Sequence, residues 1–174
     1  SSKESGYYLA SNRNKRSIAV DISSSKGKSI IKTLLKNCDV LIENFKVGSL
    51  KKYGLDYETL SSDFPELIYC SITGFGQTGP NAHKAGYDLI AQGFGGLMSI
   101  TGEKGREPMK VGVAVADILC GLYASTAILA ALHHRTYTGE GQQIDIGLVD
   151  TQIASLVNVG TNYFLTKKDQ DRVG

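Results

Sequence analysis

Asp117 is the single charged residue in the run VGVAVADILCGLYASTAILAAL, residues 111–132. An unpaired carboxylate in an apolar setting costs roughly several kcal/mol even after relaxation, so a chain that keeps one there has a use for it. Such a group can serve as a general base, a metal ligand or a nucleophile. Metal binding is disfavoured, because Val113 and Gly121, one helical turn to either side, offer no second ligand. The small neighbours Ala114, Ala116, Cys120 and Gly121 leave room for a bulky ligand beside the acid. In the first turn of a helix, Asp117 would be kept ionised by the positive end of the dipole. A helix-capping or buried, hydrogen-bonded aspartate fits the same spacing and stays open.

Four other groups of residues carry chemistry in principle. Gly74, Gly76 and Gly79 form a literal G-x-G-x-x-G after a strand-like segment. A dinucleotide fingerprint turns directly into a helix, whereas here Pro80 to Gly86 prolong the loop, which reads instead as a flexible loop over a pocket. His133 and His134 are adjacent and cannot face the same way on a helix, so they form no joint metal site. Cys38, Cys70 and Cys120 stand singly in apolar stretches, with no CxxC pair, and read as small buried hydrophobes. No metal site is expected. The basic residues Arg13, Lys15, Arg16, Lys46, Lys51 and Lys52 read as solvated surface, or as partners of a phosphate-rich small molecule.

The elements that must hold these residues alternate. Residues 17–22 (SIAVDI), 39–43, 67–73 and 143–148 read as short strands rich in branched side chains. Ser25 or a neighbouring serine starts a helix carrying Ile30, Ile31, Leu34 and Leu35 and ending near Asn37. Short helical pieces are expected at 48–53, stopped by Gly54, and at 57–63, stopped before Pro65. Longer helices are expected at 87–99, through the Asp117 segment, and at 150–165, with loops at 74–86, 102–110 and 136–142. Strands alternating with helices imply a parallel sheet and an α/β architecture.

The 174 residues suffice for one core, and 41% hydrophobic with 21% charged residues is ordinary for a globular domain. A net charge of +2 argues for neither a nucleic-acid nor a membrane partner. The apolar run around Asp117 is long enough to suggest a span, but an acid near its middle would cost about 2.5–3.5 kcal/mol on insertion. It is read as a buried helix of a soluble enzyme with Asp117 facing a cavity.

Six spaced motifs in order carry a resemblance. They are NRNKRSIAVDI (12–22), DVLIENF (39–45) with KKYGLDYE (51–58), LIYCSITGFGQTGP (67–80), AGYDLIAQ (85–92), VAVADILCGLYA (113–124) and ALHHRTYTGEGQQIDIGLVD (131–150). Together they closely resemble the class III CoA-transferases, the formyl-CoA and carnitine–CoA transferase group, over essentially the whole chain. The resemblance implies an incomplete Rossmann-like large domain with parallel strands. It implies that Asp117 is the nucleophile, forming a mixed anhydride with an acyl group and then a thioester with CoA. It places CoA contacts at Val20 to Ser23, Asn44, Phe45, Lys46, Lys52, Ala85, Tyr87 and Asp88, with Lys52 meeting a phosphate and Phe45 packing flat on CoA. Some relatives carry Lys where this chain has Ala85.

Related acyl-CoA racemases carry His at the position of Tyr87, so a two-base racemase would lack one base here. Within the transferases, YCSITGFGQTGP, AGYD and the terminal NYFL…DRVG are most similar to the succinate–hydroxymethylglutarate (glutarate) group, implying succinyl-CoA as donor and a short dicarboxylate as acceptor. No permanently bound cofactor is implied; the CoA thioester is a co-substrate. The family implies an interlocked homodimer, and a mitochondrial matrix location in a eukaryote or a cytoplasmic one otherwise. Residues 1–174 are expected to be the central part of the large domain, with a strand-helix-strand upstream and a smaller domain downstream absent. A non-catalytic CoA-binding fragment is the alternative from another class.

Overall fold

A computed structural model describes residues 4–172; residues 1–3 and 173–174, the latter closing the DRVG motif, lie outside the described residues. The core is built on β1 (Val40–Glu43), β2 (Ile68–Thr73) and β3 (Gln143–Gly147), all parallel, in the order β1-β2-β3. The register sets Ile42 beside Cys70 and Cys70 beside Ile144. Between Ile68 and Ser71 no residue of β2 is exposed, as a central strand covered on both faces requires.

Alternation along β2 divides the core. Among the described residues the chain carries eight helices, α1 (Gly6–Asn12), α2 (Ser25–Leu35), α3 (Tyr57–Asp63), α4 (Asp88–Phe94), α5 (Leu97–Ile100), α6 (Val115–Thr138), α7 (Leu148–Ala154) and α8 (Asn158–Thr166). Leu35 of α2, Leu60 of α3, Leu50 and Leu55 complete the first cluster with Leu67 and Tyr69. On the other face Ile68, Cys70 and Ile144 pack against Ala124 and Ala131 of α6. A third cluster joins Ala91 of α4, Ala116 and Cys120 of α6, and Leu148 and Val149 of α7.

Local chemistry explains most boundaries. Ser24 caps α2 by accepting from the Gly27 N–H, and Asp56 caps α3 by accepting from the Thr59 N–H. A 3-10 turn at Lys51–Tyr53 ends on Gly54 in the left-handed region.

Several expectations are corrected. Residues 17–22 form no strand, and Ile18 is 64% exposed, because no strand among the described residues pairs with this segment. Asp21 instead turns the chain into α2, its Oδ1 accepting from the Ser23 N–H (2.9 Å) and hydroxyl (2.6 Å). The helix expected at 87–99 is two, α4 and α5, broken at Gly96, whose φ of 85° is left-handed. The last helix is likewise two, α7 and α8, separated at Val157 with φ 48°, a position for a β-branched residue that no local pattern signals. α6 runs on through Thr138 to a left-handed Gly139, absorbing residues expected in a loop. Cys38 is exposed, since it lies in the link between α2 and β1 and not on either's core face; Cys70 and Cys120 are buried.

The helix carrying Asp117 is not enclosed. It is long and apolar enough to cross a membrane by length and composition. Its small-residue face lies on the sheet through Ala124 and Ala131, while Ile118, Leu122 and Leu129 on the opposite side are exposed. Asp117 itself is exposed, because only one face of α6 has protein against it.

Candidate active site

The carboxyl ends of the three parallel strands open into one cavity of about 540 Å³. This is where ligands bind in open α/β sheets. Asn44, Phe45 and Lys46 reach its wall directly after β1, Thr73 and Gly74 close β2, and Leu148 follows β3. The glycine-rich loop supplies His83, Lys84, Ala85 and Tyr87, and α6 supplies Asp117, Cys120 and Gly121.

The loop reaches the wall because its two ends meet. A side chain on Gly74 would stand 2.5 Å from the Gly86 Cα, and one on Gly86 equally close to Gly74. Two glycines thus let the chain leave β2, run out through Pro80 and return to the same point. The first glycine of the G-x-G-x-x-G therefore serves a closed loop, with α4 beginning only at Asp88.

Asp117 sits in the first turn of α6. Burial, and then the negative charge of Asp88, hold its carboxyl above the ordinary carboxylate value. Among the described residues no hydrogen bond reaches that carboxylate, whereas neighbouring Asp88 is fully engaged. Asp88 Oδ1 accepts from the Ala116 N–H at 2.9 Å, and Oδ2 accepts from Gln92 Nε2 at 2.7 Å. Another nucleophilic atom on the wall is Cys120 Sγ. Its thiol is pushed up to about 11 by burial, then by Asp117 and Cys70, so near neutral pH it stays protonated.

Of the residues expected at a CoA site, Asn44, Phe45, Lys46, Ala85 and Tyr87 share this wall with Asp117. Val20, Ser23, Lys52 and Asp88 do not line it. The Ser23 hydroxyl donates to Asp21, Lys52 Nζ lies 4.7 Å from the Tyr53 ring centroid, and Asp88 is turned toward the start of α6. Phe45 is half exposed, with its N–H held by Glu43 Oε2 at 2.8 Å, leaving the ring free to pack on a ligand.

The wall also holds residues to which the sequence assigned no role there, Thr73 and His83, beside Cys120, read only as a small neighbour of the acid. Their signal was weak, because each lies in a motif legible for another reason. Gln92 was missed as well; a buried glutamine in AGYDLIAQ shows only in the fold. Among the described residues no group of three or more His, Cys, Asp or Glu side chains is placed to hold a metal ion.

A family model described as CoA-transferase family III matches residues 1–174. A succinate–glutarate CoA-transferase of Agrobacterium fabrum is 55% identical over 168 residues, covering 97% of this chain and 42% of that protein. A human succinyl-CoA:glutarate CoA-transferase is 48% identical over 171 residues, covering 98% of this chain and 39% of that protein. The crystal structure of a CAIB/BAIF family protein from Brucella suis superposes with a TM-score of 0.93 at 52% identity, covering 97% of this chain and 44% of that one. The chain thus spans about two-fifths of the length of the relatives it matches. With the family model matched end to end and the α/β structure shared at this identity, the chain belongs to CoA-transferase family III.

Proposed function

We propose that this chain is the central part of the large domain of a CoA-transferase that moves CoA from succinyl-CoA to a short dicarboxylate such as glutarate, with Asp117 as nucleophile. One observation carries the reading. Asp117 presents an exposed carboxylate, with no hydrogen-bond donor on it among the described residues, to a cavity at the carboxyl ends of the strands. The names of the Agrobacterium and human relatives support the dicarboxylate pair. Lys46, His83 and Lys84 on the same wall offer positive or hydrogen-bonding groups to an anionic ligand.

The chemistry follows from a carboxylate nucleophile. An Asp117 oxygen attacks the thioester carbonyl, the C–S bond breaks, and CoA leaves as thiolate, giving an aspartyl acyl anhydride. The thiolate then attacks the Asp117 carbonyl carbon, releasing the donor acid and leaving an aspartyl–CoA thioester. The acceptor carboxylate reverses the sequence: it forms its own anhydride with Asp117, and CoA attacks the acceptor carbonyl to restore the free aspartate. Thioester energy is kept throughout, provided water is excluded. Phe45 and Tyr87 supply aromatic surface for the adenine or pantetheine, and the full-length protein acts as an interlocked homodimer.

In the full-length protein, Asp117→Ala is expected to lower exchange by at least about a thousandfold while free CoA still binds. Mass spectrometry after mixing wild type with acyl-CoA is expected to find a hydroxylamine-sensitive adduct on Asp117. Turnover without that adduct would remove Asp117 from the mechanism.

A further inference from the structure

α6 starts without a cap of its own. Ala114 stands at the N-cap and makes no side-chain hydrogen bond, which leaves the first-turn N–H groups to find partners elsewhere. The partner comes from α4. Asp88 Oδ1 accepts from the Ala116 N–H at 2.9 Å. One turn along α4, Gln92 donates from Nε2 to Asp88 Oδ2 at 2.7 Å and accepts through Oε1 from the Val111 N–H at 2.8 Å. Gln92 is fully buried, and both ends of its amide are spent. Two side chains of one short helix therefore fix two points, Val111 and Ala116, in the segment that delivers Asp117.

An acid at the third residue of a helix commonly turns back onto the exposed N–H groups of that first turn. Asp88 takes that place instead. Asp117 is left next to a carboxylate that has claimed the local donor, with its own lone pairs unclaimed among the described residues. Hydrogen bonds to a carboxylate stabilise its charge and reduce its basicity. A nucleophilic aspartate gains from lacking them.

We propose that Asp88 and Gln92 are positioning residues for Asp117: they cap α6 in its stead, fix its first turn on α4, and keep the Asp117 carboxylate free to attack the thioester. The proposal rests on Asp117 being the nucleophile. It also gives Asp88 a role toward protein instead of the CoA contact implied by family resemblance.

The test uses the full-length protein and separates binding from chemistry. Gln92→Met removes both of the amide's hydrogen bonds at nearly constant volume. We expect its Kd for free CoA, by calorimetry, to stay within about twofold of wild type. The rate of Asp117 acylation, by rapid quench and mass spectrometry, is expected to fall tenfold or more. Should Gln92→Met fail to fold, Asp88→Asn decides. It keeps an oxygen for the Ala116 N–H but loses the charge, and should lower the acylation rate while moving its acid limb to lower pH. The other titratable groups around the cavity, Lys46, His83, Lys84, Tyr87 and Cys120, are unchanged in that variant. Acylation at the wild-type rate in the folded variant, or a loss of CoA affinity matching the loss of rate, overturns the positioning role. A wild-type protein that turns over without an Asp117 adduct overturns the nucleophile reading and this inference with it. An adduct formed at an undisturbed rate in the variant removes the inference alone.

Discussion

Asp117 is held in an environment that disfavours its charge, and this has a measurable sign. Burial and the nearby Asp88 raise its folded-state value above 3.8. Between those two values the folded chain binds more protons than the unfolded chain, so stability falls as pH rises through that window. The penalty is fully present above the raised value and absent below the ordinary one. Because the side chain is well exposed, solvent screening keeps the effect modest. Asp117→Asn is therefore expected to raise Tm near neutral pH and to leave it unchanged below the ordinary carboxylate range, as thermal denaturation at both pH values will show. A lower Tm near neutral pH would mean that the carboxylate is stabilising and the site is not poised. Residue identity was fully legible here, since one acid in an apolar run marks itself. Its surroundings were not: the sequence placed Asp117 in an enclosed helix, and the engagement of Asp88 with Ala116 needs two elements distant in the chain.

At the scale of elements, α6 joins stability and access in one small residue. Gly121 lies one turn after Asp117, on the cavity wall, and a methyl group there meets no heavy atom within 4 Å. Replacing a mid-helix glycine with alanine gains about 0.5–1 kcal/mol. Gly121→Ala is thus expected to stabilise the full-length protein by that amount in urea denaturation. It should also raise KM for acyl-CoA severalfold, because the methyl takes space beside the nucleophile. Higher stability with unchanged kinetics would place the acyl group elsewhere. The strands at 40–43, 68–73 and 143–147 and the caps at Ser24 and Asp56 were readable because local chemistry decides them. The failures share a cause. Residues 17–22 have strand composition but no ladder partner among the described residues; the chain breaks at Gly96 in a left-handed conformation beside Leu156, and at Val157 with a positive φ that its sequence does not signal. Gly74 was visible in a G-x-G-x-x-G and Gly86 at the end of the loop that follows, yet only their spatial meeting explains why the loop is closed.

The whole molecule is covered on one side and open on the other. Ile118, Leu122, Ser125 and Leu129 follow one stripe of α6, and Leu122 and Leu129 are 61% and 67% exposed. Phe164 and Leu165 of α8 add 72% and 78% exposed side chains. Scattered apolar residues are normal on a surface, but an apolar stripe of this length, broken only by Ser125, is a face expected to associate. The relatives are more than twice as long as this chain, so such a face has further protein available to it in them. Produced by themselves, these 174 residues are expected to self-associate with rising concentration and to lack CoA exchange. Light scattering across a dilution series checks the first, and exchange between succinyl-CoA and glutarate checks the second. Leu122→Glu combined with Leu129→Glu should suppress the association without unfolding the sheet, because neither side chain belongs to the clusters that cover it. A monodisperse, monomeric wild-type chain would show that the stripe is tolerated in water. Association that persists in the double variant would move the interface to α8, where Phe164→Glu is the next substitution to make.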